Sequence, residues 1–262
     1  MTAAFAATLV ALGLGGAFVA GLLGVGGAIV MIPLLLYAPP LLGVGHLDAK
    51  AVAGVTMAQV FVAAISGMAA HRRHKTVNAD LALVGGAAMA SGSLAGAVLS
   101  RFVSAHTLLL VFALMATGAA VLMLLPVAVI DASVPVEPRP RFSRARTVMV
   151  AASVGVVAGL VGAGGAFLLV PLLLVVVRVP IRVTISTSLA ITAFSATAGF
   201  AGKLVTGQIP YAAALAVAVG ALPGAQLGAA VSTRLAGARL KFLLFAVIVA
   251  SAARVWWDLL FR

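Results

Sequence analysis

The sequence predicts an all-α polytopic membrane protein. It reads as two inverted repeats of about five hydrophobic helical segments each, the first two of each half short and Gly-broken. Three observations predict this. Of 262 residues, 64% are hydrophobic and 8% charged, where a soluble domain carries about 45–50% apolar and about 25% charged residues. So little charge cannot cover a soluble surface, and the chain reads as membrane spans with no large soluble domain. The second observation is that one half repeats the other. The third is that the basic residues cluster on alternate connectors.

The repeat is direct. Residues 21–36 read GLLGVGGAIVMIPLLL and residues 159–174 read GLVGAGGAFLLVPLLL, an ungapped match at a separation of 138. Gly21, Gly24, Gly26, Gly27 and Pro33 recur as Gly159, Gly162, Gly164, Gly165 and Pro171. Weaker matches continue the pattern, GVTMAQ (54–59) with ISTSLA (185–190) and SGSLAGAVLSR (91–101) with PGAQLGAAVST (223–233). They pair Thr56 with Thr187, Gly92 with Gly224 and Gly96 with Gly228. The chain therefore divides into a first transmembrane repeat (1–126), a cytoplasmic linker rich in Pro and charge (127–146) and a second transmembrane repeat (147–262).

In order, the apolar segments of the first half are 3–23, 27–42, 49–70, 79–100 and 106–126. Those of the second are 147–160, 164–177, 183–202, 210–231 and 240–260. Most reach the ~20 residues that cross a hydrocarbon core of ~30 Å. The two Gly-led segments do not. From Gly27 to the Pro39-Pro40 pair allows ~18 Å of helix and from Gly164 to Val177 ~21 Å. The first two segments of each half are expected to form short hairpins with Gly-rich apices inside the membrane.

The net charge of +12 would suggest nucleic acid in a soluble chain. Here the basic residues lie in short connectors, and the positive-inside rule accounts for them. With the 71–75 loop in the cytoplasm, twelve Lys and Arg fall inside and five outside (Lys50, Arg101, Lys203, Arg254, Arg262). Both termini are then non-cytoplasmic and the halves run in opposite senses. Lys203, at a span end, is expected to snorkel to the interface.

The apices carry the functional argument. Gly24, Gly26 and Gly27, with their copies Gly162, Gly164 and Gly165, interrupt a helix and let backbones approach. Pro33 and Pro171 then kink the restarted helices. A helix that restarts at depth leaves its first N–H groups without partners, and an anion suits them. Broken helices at matching places in two halves point to a transporter's substrate site, although paired Gly also serve helix packing alone. Thr56 lies ~10 Å into the third segment, with Gln59 three residues on and on the same face. The second half supplies Ser186, Thr187 and Ser188, then Thr192, Ser195 and Thr197. Neutral hydroxyl and amide donors fit an oxyanion that must bind and leave.

Other chemistry finds no support in the residues. With no Cys, disulfides and thiolate sites are excluded. The chain has no phosphate-binding G-x-x-x-x-G-K-[ST] loop and no His or carboxylate set at metal spacing, so no catalysis, metal or cofactor is expected. The acids Asp48, Asp80, Asp131, Glu137 and Asp258 all fall outside the middles of spans, so no buried carboxylate proton relay is visible.

These residues resemble the sulfite exporter TauE/SafE family of small membrane permeases. The resemblance rests on the doubled G-x-G-G-x(5)-P pattern, the Thr-bearing third segments and the SGSLAG/PGAQLG fourth segments. It implies a secondary transporter for sulfur-containing anions in the cytoplasmic membrane, with Gly26, Gly27, Gly164, Gly165, Thr56 and Thr187 at the site. Ala28 and Ala166 stand where the family often has a third Gly, and Met57 where a hydroxyl is more typical. A channel-like pore and a non-transporting partner subunit are the alternatives. The anion, a proton or sodium coupling ion and any homo-oligomer are left open by the sequence.

Overall fold

The computed structural model describes residues 1–23, 26–71, 78–124, 142–179, 181–232 and 237–261, with side chains omitted at 67–71, 181–182, 185–186 and 237–241. The described residues form ten α-helices. They are α1 (Ala3–Leu23), α2 (Ala28–Leu41), α3 (Ala49–His71), α4 (Ala79–Leu99) and α5 (Ala105–Leu124), then α6 (Arg144–Val161), α7 (Ala166–Leu172), α8 (Ile181–Val205), α9 (Tyr211–Ser232) and α10 (Gly237–Phe261). Eight are long and apolar enough to cross a membrane, and the shorter pair is α2 and the 166–177 segment. The hairpin arms are therefore unequal. The first arms, α1 with 21 residues and α6 with 18, reach spanning length, and only the restarted arms are short.

The ends of the elements follow local chemistry. The Asn78 side chain accepts the Leu81 N–H at the start of α4, and Ser143 does the same for Arg146 at the start of α6. Helix α6 thus begins inside the stretch assigned to the linker, whose residues 127–141 lie outside the described ones. In α7, Pro171 has no N–H to give, and the helix loosens into a π-turn over Leu173–Val177 that Arg178 closes at φ 62°. Pro39 and Pro40 do not end α2 but sit within its last turn.

The halves exchange partners. Helix α1 packs most extensively on α9, and its repeat counterpart α6 packs on α4. Likewise α3 lies against α9 and α8 against α4, while α3 and α8 meet at the middle. Glycine makes this possible. A Cβ on Gly13, Gly21, Gly220, Gly224 or Gly228 would strike backbone across the α1–α9 contact, and one on Gly92, Gly96, Gly155 or Gly159 would do so across α4–α6. Such close approach is how membrane helices associate where lipid offers no hydrophobic driving force. The matched Gly pairs of the fourth segments are thus packing residues.

Helix α3 lies deepest, with 72% of its most apolar stretch buried, whereas α10 has 28% buried and lies at the edge. The position that needs explaining is the surface shared by α3 and α8, because it is buried yet carries polar side chains.

Candidate polar site at the hairpin apices

Each hairpin turns through left-handed glycines, Gly26 (φ 75°) and Gly27 (φ 73°) in the first, Gly162 (φ 78°), Gly164 (φ 63°) and Gly165 (φ 79°) in the second. Only Gly takes such angles without strain. Gly24 lies outside the described residues. Gly27 and Gly165 are the N-caps of α2 and α7, and neither end has a side-chain cap. The Val30 and Met31 N–H groups reach the Gly27 carbonyl, as Leu168 and Leu169 reach that of Gly165.

The two apices converge. The Cβ position of Gly26 lies 3.4 Å from Val60 Cγ1 and 3.5 Å from Thr192 Cγ2, and that of Gly164 faces the same two side chains. Val60 is about 17 Å along α3 from its first residue, and Thr192 is about 17 Å along α8. The apices therefore meet at the midpoints of the two central helices. Gly27 and Gly165 point the other way, Gly27 against Ala20 and the Gly16 carbonyl, Gly165 against Met89, Ala158 and Val154.

Around this point sit buried polar groups with no partner. The hydroxyls of Thr56, Ser93, Thr192 and Ser195 and both amide atoms of Gln59 are fully enclosed and make no hydrogen bond. Their spacing places them on facing surfaces. On α3, Thr56, Gln59 and Val60 share a face, and on α8 Thr192, Ser195 and Gly199 share another. Gly199 presses on Met57 and on the Ser93 hydroxyl, which brings α4 into the same place. A buried polar atom without a partner is costly, about 1–3 kcal/mol each, so five such residues on neighbouring helices make this region the candidate site.

The sequence-derived candidates fall into two groups. Gly26, Gly164, Thr56 and Gln59 are at the cluster. Thr187 is not free to serve it in the same way, because its Oγ1 accepts the Asn78 N–H at 3.2 Å. The repeat mate Thr56 has no such donor. Its hydroxyl is fully enclosed and makes no hydrogen bond. The paired threonines are thus chemically unequal. Ser188 is buried and already engaged, Thr197 bonds back to the Ala193 carbonyl at 2.8 Å, and the Ser186 side chain lies outside the described residues. Ser93 is the residue that sequence reasoning passed over. It lies in the SGSLAG stretch, where the Gly periodicity draws attention to packing.

The inequality has a measurable consequence. Thr187→Val should cost about 1 kcal/mol of stability by stranding the Asn78 N–H and leave flux within about twofold. Differential scanning fluorimetry and a transport assay on the same preparation would check both, and a large loss of flux at unchanged stability would return Thr187 to the site.

Neutral polar groups thus surround two helix restarts inside an apolar bundle. Comparison decides the lineage, because the sequence matches the sulfite exporter TauE/SafE family over residues 9–255. The chain belongs to that family. Among similar proteins, a probable membrane transporter protein of Xylella fastidiosa (strain Temecula1) is 29% identical over 264 residues, covering 95% of each chain. YdhB and YunE of Bacillus subtilis, also described as probable membrane transporter proteins, are 26% and 24% identical over 86% and 97% of this chain and 89% and 98% of their own. No solved structure matches. This TauE/SafE family member is a multi-pass membrane transporter, not an enzyme.

Proposed function

We propose that the chain is a secondary transporter of small anions, sulfite, sulfonates or related sulfur-containing anions, working by alternating access across the cytoplasmic membrane. The observation that carries this reading is the set of unpartnered hydroxyl and amide groups enclosed where the two Gly apices meet. Five neutral side chains can donate several hydrogen bonds to an oxyanion without the tight hold of a buried Arg, so binding stays reversible. The first N–H groups of α2, uncapped by any side chain, add a partial positive charge beside them.

The exchange of partners between halves supports inverted repeats that rock against each other around this point. The pairs α1–α9 and α6–α4 form two equivalent contacts, and the α3–α8 contact between them carries the site. The charge bias of the connectors supports non-cytoplasmic termini and a cytoplasmic linker. Transport driven by the membrane potential needs no buried carboxylate, since expelling an anion from a negative interior is downhill.

The test is uptake of labelled sulfite into proteoliposomes, with and without an imposed pH or sodium gradient, and with sulfonates, sulfate and acetate as competitors. Saturable uptake competed by sulfur oxyanions is expected. Unitary conductance in a planar bilayer would instead make the protein a pore, and folded protein that moves none of these anions would refute the substrate class.

A further inference from the structure

A second buried polar cluster lies about two to three helical turns from the central one, near the end of α8. Lys203 is fully enclosed, with 0% of its surface exposed, and does not snorkel. Its Nζ donates to Ser100 Oγ at 2.9 Å, Gln208 Oε1 at 3.3 Å and the Leu160 carbonyl at 3.4 Å. All three acceptors are neutral. Among the described residues, no carboxylate lies within ion-pair distance of it. The charge of Lys50 acts on it repulsively, and the Nζ of Lys50 itself donates to the Arg101 carbonyl at 3.3 Å.

A buried ammonium held by neutral oxygens alone is expensive, because its loss of hydration is repaid only in part. Natural proteins pair such a charge or use it. The position of this one is suggestive. Along α8 it follows Gly199, which faces Ser93 and Met57. Its carbonyl partner Leu160 belongs to the last turn of α6, two residues before the left-handed C-cap Gly162 and four before the apex residue Gly164. The cation therefore lies between the central hydroxyls and the end of α8 that the charge bias places outside. Two of its three contacts are long, so an incoming anion can replace them at little cost.

Resting on the transporter reading above, we propose that Lys203, with Ser100 and Gln208, is a second anion subsite on the outward side of the central cluster. It takes a small oxyanion as a temporary counter-ion while the substrate passes. Ser100 donates a hydrogen bond to the Gln208 amide oxygen at 2.7 Å and accepts from Lys203, so these two side chains hold the ammonium in place between anions. The Gln208 amide nitrogen, bonded to the Ala97 carbonyl at 2.9 Å and to Thr206 Oγ1, fixes that geometry.

The test supplies the missing counter-ion from within the protein. Gln208→Glu places a carboxylate 3.3 Å from Nζ and should keep the fold while competing with the anion. KM for sulfite uptake into proteoliposomes should rise at least about tenfold, the change expected when a close charge partner is lost to the ligand. Sulfite-induced thermal stabilisation of the purified protein should shrink with it. Lys203→Met should raise KM likewise, and Lys203→Arg should restore it to within a few-fold, which a merely structural lysine would not require. Wild-type KM in both Gln208→Glu and Lys203→Met would overturn the subsite and leave the transporter reading intact. Should Gln208→Glu fail to fold, because its second oxygen meets the Ala97 carbonyl in place of a donor, Lys203→Met and Lys203→Arg decide alone, and wild-type KM in Lys203→Met overturns the subsite. If wild-type protein neither carries nor is stabilised by sulfite, methanesulfonate or sulfate, both readings fall together.

Discussion

Thr192→Val should yield a protein that is more stable and transports far less. The side chain is fully buried, its Cγ2 lies 3.5 Å from the Cβ positions of both apex residues Gly26 and Gly164, and its hydroxyl has no partner. Val keeps the shape and removes the unpaired group, which should add about 1 kcal/mol of stability. The same change deletes a donor from the centre of the proposed anion site. Loss of one hydrogen bond to a charged ligand is worth about 1.5–3 kcal/mol, so kcat/KM should fall about tenfold to a hundredfold. Thr56→Val should behave alike, because its hydroxyl is equally enclosed and equally without a partner. Opposite signs for stability and flux are the signature of groups kept for function. Purified variants would be compared by thermal unfolding and by sulfite uptake. A destabilised Thr192→Val with normal flux would mean that the hydroxyl serves the fold.

Gly228→Leu should prevent accumulation of folded protein. A Cβ there would run into the Phe18 carbonyl oxygen and approach the Leu22 amide nitrogen at 2.8 Å. Neither is the end of a flexible side chain, so α1 and α9 would have to separate along their length. That contact ties the first helix of one half to the fourth helix of the other, and the α4–α6 contact is its mirror. Losses above about 4–5 kcal/mol arise from clashes of this kind. Gly159→Leu should do the same, since its Cβ would strike the Ser93 carbonyl. Gly15→Leu and Gly118→Leu supply the control, because nothing lies within 4 Å of their Cβ positions. Size-exclusion profiles in detergent would separate the two sets, and four equal profiles would show that the helix pairs yield easily.

Much of the architecture was legible because it depends on local chemistry. Apolar runs of spanning length must become helices, since lipid leaves backbone groups no other partner. The doubled Gly-Gly-x(5)-Pro pattern placed the breaks at Gly26-Gly27 and Gly164-Gly165, because left-handed turns at depth require Gly. The stretch 127–146 reads as a linker by its Pro and charge content, its residues 127–141 lie outside the described ones, and Ser143 caps α6 before the stretch ends.

The candidate site was legible only in part. Thr56 and Gln59 could be found from depth and spacing on one helix. The difference between Thr56 and Thr187 could not, since it depends on a residue far along the chain, Asn78, whose N–H reaches Thr187 while no group reaches the Thr56 hydroxyl. Lys203 escaped for a related reason. At a span end a lysine has the reach to find water, and only the arrangement of Ser100, Leu160 and Gln208 around it shows that it stays inside. The two glycines of each pair also look equivalent in sequence, yet Gly26 and Gly164 face the centre while Gly27 and Gly165 face packed helices.

The sequence by itself determined the membrane-embedded class, the duplication, the order of the helices and the places where the glycine breaks fall. Those follow from hydropathy, from backbone hydrogen bonding and from the angles that Gly and Pro permit, all of which act within a few residues. Only the tertiary structure decided which polar groups are left without partners and which side each glycine presents. Those depend on how α1 and α6 cross to the opposite half, a contact between residues about 200 positions apart in one case and about 60 in the other, where no local rule of propensity or spacing reaches.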